Sequence, residues 1–274
     1  MHLIFDTKGG LCNQMLDIVA CINISLKYNL KFTFRYCSFR NNDLSSWNNE
    51  SFDKLFNLSF FKKYKLYVES NMIANNINNN NTFNYDGKLN CSKFLNKNED
   101  FLKQFIKLKK EYIVLVQFWS LYEFKNINDL NLCKSIIPAD KLTNIFNKLR
   151  AKLLGNESYN FIHYRYEKDF IHFFKINNLK SLGDIIKNIK FKNNNLKIYI
   201  ATSNAESVID KNNLNYKRLV FKNENDDLLK NLNFEEKAYI DYLFGLYCQE
   251  IWGHSKSSFS KLLNNYKKTS NYYM

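Results

Sequence analysis

The chain has 274 residues, 45% of them hydrophobic and 16% aromatic, with one proline and seven glycines. That length and apolar share allow two buried cores and exclude collagen-like, proline-rich and wholly disordered classes. The net charge is +14, from 40 Lys and Arg against 26 Asp and Glu, yet only five of the basic residues are Arg and about one residue in six is Asn; this is the composition of AT-rich coding, and with dispersed lysines and no recognised binding motif it carries no expectation of a nucleic-acid partner.

The first apolar run, Leu3-Ile4-Phe5, reads as a strand entering the glycine turn Asp6-Thr7-Lys8-Gly9-Gly10. Apolar residues then fall at helical spacing over residues 11–28: Leu11, Met15, Ile18, Val19, Ile22 and Leu26. Residues 31–35 read as a second strand. Strand, tight loop, helix, strand implies a parallel sheet. Residues 41–110 show no clear pattern, and the Asn-rich run 75–81 reads as a surface loop. Tyr112–Val116 is a continuous apolar run, expected of a strand covered on both faces. Residues 139–153 read as a helix leading to a boundary near Gly155.

A second alternating series follows: strand Tyr159–His163, helix 180–190, strand Lys197–Ala201, short helix 205–210, strand 218–221, and helices 234–248 and 257–266. The expectation is α/β, with two Rossmann-like domains of parallel sheets facing across a cleft, one over residues 1–153 and one over 154–274.

The six cysteines, Cys12, Cys21, Cys37, Cys91, Cys133 and Cys248, form no CxxC pair and no cluster with His at ligand spacing. Reduced thiols and no metal are expected. The N-terminal apolar run is too short for a secretory leader, and no stretch approaches the roughly 20 apolar residues of a membrane span. A cytoplasmic protein without a signal peptide or transmembrane segment is the resulting expectation.

Three segments carry candidate chemistry, each at a strand end, where α/β folds bind ligands. In Gly9-Gly10-Leu11-Cys12-Asn13-Gln14 the glycines allow close backbone approach and the helix start favours anions. No GKS or GKT ending follows, so it is not a P-loop. In His163-Tyr164-Arg165-Tyr166-Glu167-Lys168-Asp169-Phe170, alternation puts His163 and Arg165 on one face, and Asp169 is placed to pair with or orient Arg165. An Arg there suits bidentate phosphate recognition, and a surface ion pair beside a core His is the plain alternative. Ser255-Lys256-Ser257-Ser258-Phe259-Ser260 opens a helix; Ser as a simple helix cap competes with Ser as a phosphate contact. Asn204 and Glu206 follow a strand and could touch a ligand or start a helix. His2, His172 and His254 have no evident partners and are expected to be structural or exposed.

Together the segments resemble the fucosyltransferase superfamily, which spans protein O-fucosyltransferases, plant O-fucosyltransferase-like proteins and α1,2-fucosyltransferases. GGLCNQM is similar to the family's GGLGNQ or GRFGNQ, HYRYEKDF to its HxRxxxD motif, and IDYLFGLYCQEIWGHSKSSFS to the segment ending in SSFS. A fainter likeness covers residues 116–130. The resemblance implies a GT-B-like fold and transfer of fucose from GDP-fucose to a hydroxyl of a glycan or protein acceptor. Another nucleotide-deoxysugar donor, such as a rhamnose nucleotide, and a catalytically inactive glycan- or nucleotide-binding module are the alternatives. It implies that Arg165 contacts the β-phosphate, that His163 lies beside the nucleotide and Asn13 beside the sugar-diphosphate, with Gly9 and Gly10 in the same loop. It further implies phosphate contacts at Ser257, Ser258 and Phe259 and a substrate-binding role for Asp241. Arg165, Asn13 and Asp169 are the catalytic candidates. No DxD pair is present, since Asp226 and Asp227 are adjacent, so transfer is expected to be inverting, without metal or other cofactor. Asp6, Asp17 and Asp169 are candidate bases. Cys12 departs from the family's glycine, and Ser203-Asn204 from an acidic residue.

Overall fold

The computed structural model describes residues 1–41, 46–78, 80–86, 109–116, 127–176, 180–203, 216–223 and 225–273. The chain divides into two compact units, Met1–Ala139 and Asp140–Met274. The expected boundary lay after residue 153; here the helix α4 (Asp140–Leu154) belongs to the second unit. The reason is packing. Phe146 meets the Phe244 ring at 5.0 Å and Lys141 pairs with Glu236 at 3.1 Å.

In the first unit, β1 (His2–Asp6) is buried along its whole length, which is why its central side chains, Leu3, Ile4 and Phe5, are apolar without alternation. It pairs in parallel with β2 (Lys31–Arg40) on one side and β5 (Tyr112–Val116) on the other. β4 (Thr82–Asp86) pairs in parallel with β5, and β3 (Trp47–Ser51) pairs antiparallel with β2. The order is β3-β2-β1-β5-β4. The polar edge strand β3 (WNNES) is mostly exposed, a sequence that deters pairing with another chain. The helix α1 (Leu11–Lys27) buries Leu11, Met15, Ile18, Val19 and Ile22 of the stripe its spacing predicts, while Leu26, in its last turn, is exposed. The aromatic surplus goes into the core: Phe34 stacks on Phe52 at 4.6 Å and meets Phe61 at 4.9 Å. Among the described residues the unit also contains two short helices, α2 (Ser59–Lys62) and α3 (Ile127–Ser135).

In the second unit, β6 (Tyr159–His163), β7 (Lys197–Ala201), β8 (Leu219–Phe221), β9 (Ile251–His254) and β10 (Tyr272–Tyr273) form an all-parallel sheet in the order β10-β9-β6-β7-β8. Successive residues of β6 serve opposite faces. Phe161 stacks on Tyr199, which stacks on Phe244 at 4.0 Å. Ile162 joins the other face's cluster with Leu182, Ile185 and Ile200. Besides α4, its described helices are α5 (Lys168–Phe174), α6 (Leu182–Asn188), α7 (Phe234–Tyr247) and α8 (Ser258–Lys267). Asn233 and Glu236 form a reciprocal capping box that starts α7. On α7, a Cβ on Gly245 would sit 2.4 Å from Leu263 Cδ1 and 3.3 Å from Phe161, so glycine lets α7 approach α8 and β6 without displacing the Leu263 side chain.

Each sheet therefore runs one way from a central strand and then the other. In the first unit the reversal falls between β1 and β5, in the second between β6 and β9. The crevice beyond the carboxyl ends of such strands is where this class of sheet binds ligands. The expected helix 205–210 lies outside the described residues, as does most of 116–130. Among the described residues, no helix is long and apolar enough to cross a membrane. Cys12, Cys21, Cys37, Cys133 and Cys248 are thiols outside any disulfide.

Candidate functional site

In the first unit the candidate loop leaves β1 at its switch point and enters α1. Gly9 has φ 98°, a left-handed conformation that favours glycine, and Gly10 is the N-cap of α1. The loop is braced by Gln14, which is fully buried. Its amide donates to the carbonyls of Gly9 (2.8 Å) and Ser38 (2.7 Å). Its oxygen accepts from the Thr7 hydroxyl (2.8 Å) and the Ser38 amide (3.0 Å). All four hydrogen-bonding positions of that amide are used inside the fold. Asn13, one residue earlier and half-buried, has no side-chain hydrogen bond among the described residues, so its amide is available to a ligand. Cys12 is 3% exposed and belongs to the core, so its side chain does not obstruct the loop.

Two candidate bases lie here. Both oxygens of Asp6 are held by Arg35, at 3.0 Å through Nε and 2.5 Å through Nη2. That hydrogen bond in turn raises the Arg35 pKa. Asp17 is buried and accepts from the Lys8 backbone N–H at 3.1 Å. Each carboxylate thus has a structural task.

In the second unit, the ends of β6 and β9 bring His163, Arg165, His254 and Ser257 to one switch point. His163 is buried, its Nδ1 2.8 Å from Ser260 Oγ and its ring 4.3 Å from that of Phe259. Burial, reinforced by Arg165, His254 and Lys222, holds its pKa well below the ordinary histidine value, so the ring is neutral. Glu167 and Phe170 both hold Arg165. Its Nε donates to Glu167 Oε2 at 2.6 Å, and its guanidinium lies 4.8 Å from the centre of the Phe170 ring. Glu167, which the sequence did not single out, is thus a partner that orients Arg165. Asp169 itself falls on α5, and its side chain lies outside the described residues.

The start of α8 supplies the remaining candidates. Ser257 is its N-cap by position, yet its side chain makes no capping bond. Its Oγ is buried without any hydrogen-bond partner. A buried hydroxyl left unpaired costs free energy, and a ligand atom would repay it. Ser258 is exposed, and Phe259 is buried under His163. Thr202, just past β7, has a second buried, unpartnered hydroxyl that motif reading did not reveal. Its signal is positional only: a polar residue one step beyond a buried strand.

Asp241 sits apart, inside the fold. It accepts from Tyr199 OH at 2.8 Å and is ion-paired with the buried Lys222. Those partners give it a structural task whatever else it does. His254 accepts the Lys256 backbone N–H on Nδ1 at 3.1 Å, which leaves the proton of its neutral ring on Nε2. Its ring packs edge-on against Phe170 and Tyr273. Asp226 and Asp227, the adjacent pair, bind Lys152 and Lys230. Among the described residues no group of three or more His, Cys, Asp or Glu could hold a metal ion. Asn204 and Glu206 lie outside the described residues.

These histidines set an acid limit. His2 donates through Nε2 to Thr33 Oγ1 (2.9 Å), because the Thr33 hydroxyl proton is committed to Val68 O (2.7 Å). Burial first, then Lys31 and the N-terminus, lowers its pKa to about 4. His163 and His254 are shifted the same way. The unfolded chain, with histidines near 6.5, binds more protons than the folded one between those values. The stability is therefore complete above about pH 6.5 and is lost as pH falls toward 4. Melting temperatures measured from pH 8 to 4 should decline below pH 6.5; a flat profile to pH 4.5 contradicts this account.

Comparison with known proteins returns no matching family profile and no matching curated protein. Solved structures do match, along nearly the whole chain. A structure of POFUT1 in complex with GDP superposes with a TM-score of 0.65 at 11% identity, covering 99% of this chain and 98% of that one. POFUT1 in complex with GDP-fucose gives 0.63 at 10% identity, covering 99% and 97%. The fucosyltransferase NodZ from Bradyrhizobium gives 0.60 at 11% identity, covering 96% and 92%. The chain thus has the GT-B-like fold of these fucosyltransferase structures, as the motif resemblance implied.

Proposed function

We propose that the chain is a glycosyltransferase that moves fucose from GDP-fucose to a hydroxyl of a glycan or protein acceptor, with inversion and without a metal. One observation carries the reading: Arg165, the neutral His163 and the unpartnered Ser257 hydroxyl converge at the switch point of an all-parallel sheet. In the reaction the acceptor oxygen bonds to the anomeric carbon and its proton passes to water or to the leaving diphosphate. The bond from that carbon to the β-phosphate breaks, and its electron pair leaves on GDP.

Negative charge then develops on the diphosphate. A fixed guanidinium and the N–H groups at the start of α8 answer that charge without reorganising, which is the largest contribution such a site makes. Glu167 matters here because it holds Arg165 before substrate arrives. Ser257 and Ser258 are proposed as phosphate contacts through hydroxyl and backbone groups, with Phe259 under the nucleotide end beside His163. Asn13 is proposed as an amide contact to the sugar-diphosphate, with Gly9 and Gly10 allowing its approach. The fold's likeness to structures solved with GDP and GDP-fucose supports the choice of donor.

The test is thermal melting with GDP, UDP and ADP, each with EDTA and with Mg²⁺. At a hundredfold excess over Kd, a ligand stabilises by about 2.7 kcal/mol. A rise specific to GDP and indifferent to EDTA is expected. A preference for UDP would replace the donor, and no response to any nucleotide would overturn the reading.

A further inference from the structure

We propose that Tyr273 is a positioning residue for Arg165, an inference that rests on the function proposed above. Tyr273 lies on β10, paired with His254 of β9, and is 5% exposed. Its ring packs edge-on against His254, with centroids 5.6 Å apart, and joins the cluster of Ile162, Tyr164 and Leu182. Its hydroxyl donates to the His163 carbonyl at 2.6 Å and accepts the Arg165 backbone N–H at 3.2 Å. One phenol oxygen thereby closes the turn in which the chain leaves β6, from both sides.

The turn is where the candidate chemistry starts. On its outer side Tyr164 N–H makes its bond to Ala201 O of β7 at 2.9 Å. Beyond it, Arg165 has its Nε on Glu167 and its face on Phe170. Tyr273 holds the backbone from which that side chain is aimed. Burial pushes the phenol pKa far up, so the group remains an O–H donor at every working pH. Displacing a charge-stabilising group by a fraction of an ångström is enough to lower the rate of a reaction that depends on its position.

Tyr273→Phe removes the hydroxyl and keeps the ring packing. Two measurements decide the proposal. The first is amide hydrogen exchange across residues 163–167 in the ligand-free protein. The Arg165 amide should be protected in the parent and should exchange faster in Tyr273→Phe. Fast exchange in the parent, or no change in the variant, overturns the clamp whether or not the variant folds well. The second is steady-state transfer from GDP-fucose. Loss of one oriented hydrogen-bond pair should lower kcat about tenfold while KM for the donor stays within about twofold. A purely structural role would instead lower the melting temperature and leave kcat intact at temperatures well below it. If the parent turns over and Tyr273→Phe matches its kcat, the positioning role fails and the proposed function stands. If the parent neither binds GDP nor transfers fucose, the proposed function fails, and the exchange measurement still decides the clamp.

Discussion

Replacing Arg165 with alanine is expected to lower transfer by about 10²–10³-fold, the range seen when one preorganised donor to developing charge is removed. The same change strands Glu167, a carboxylate 8% exposed whose Oε2 is 2.6 Å from the guanidinium. An uncompensated buried charge costs several kcal/mol or takes up a proton, so some loss of melting temperature accompanies the loss of activity. The two effects separate in Arg165→Ala combined with Glu167→Gln, which should restore stability and leave transfer low. Arg165→Lys retains the charge but not the planar fork that serves Glu167 on one edge, and an intermediate rate is expected. GDP release and thermal melting on the three variants check this. Transfer by Arg165→Ala within a few-fold of the parent would show that the HYRYEKDF segment is not the catalytic centre.

Gly253→Ala is expected to be the most damaging single methyl group in the second unit. The added Cβ would lie 2.3 Å from Ser260 Oγ and 2.6 Å from Ser260 Cβ, and 3.5 Å from its Cα. The first turn of α8 has to move, since the obstacle is the base of a buried side chain rather than its flexible tip. Overpacking of this kind costs about 1–3 kcal/mol. It also pushes Ser260 away from His163 Nδ1, whose 2.8 Å contact sets the orientation of that ring. Both a lower melting temperature and weaker GDP binding should follow. As a control, Gly155→Ala affects a position with nothing within 4 Å of the added carbon but a φ of +58°, so it strains only the backbone and should leave GDP binding unchanged. If Gly253→Ala keeps parental stability and GDP affinity, the close approach of α8 to β9 is not what organises the site.

The buried strands were legible because continuous apolar runs admit few other readings. Tyr112–Val116, Tyr159–His163 and Lys197–Ala201 fall where those runs predict. β3 was not legible, since WNNES has none of the alternation or branching expected of a strand and forms only as an edge against β2. β10 is two residues long and exists because β9 is there to receive it. At the candidate site, motifs pointed to the residues at the strand ends but not to what holds them. Glu167 was in plain view, two positions from Arg165, but the spacing argument took Asp169, four positions on. Tyr273 left no local trace at all. Gln14 shows the complement: next to Asn13 in an amide pair, it could be told from its neighbour only by counting the partners each finds once the loop is folded.

The clamp and the His163–Ser260 contact span 110 and 97 residues of sequence. β6 must therefore wait for β9 and β10, and the segments between them have to be gathered first. Contacts so distant along the chain are expected to close late, after local helices and the β6–β7 pair have formed. The nucleotide binding proposed for the second unit would then be a property of the finished sheet rather than of any intermediate. An optical probe of helix content and a bound nucleotide would report two different moments of refolding, and the interval between them would time the closure of the β6–β9 crevice.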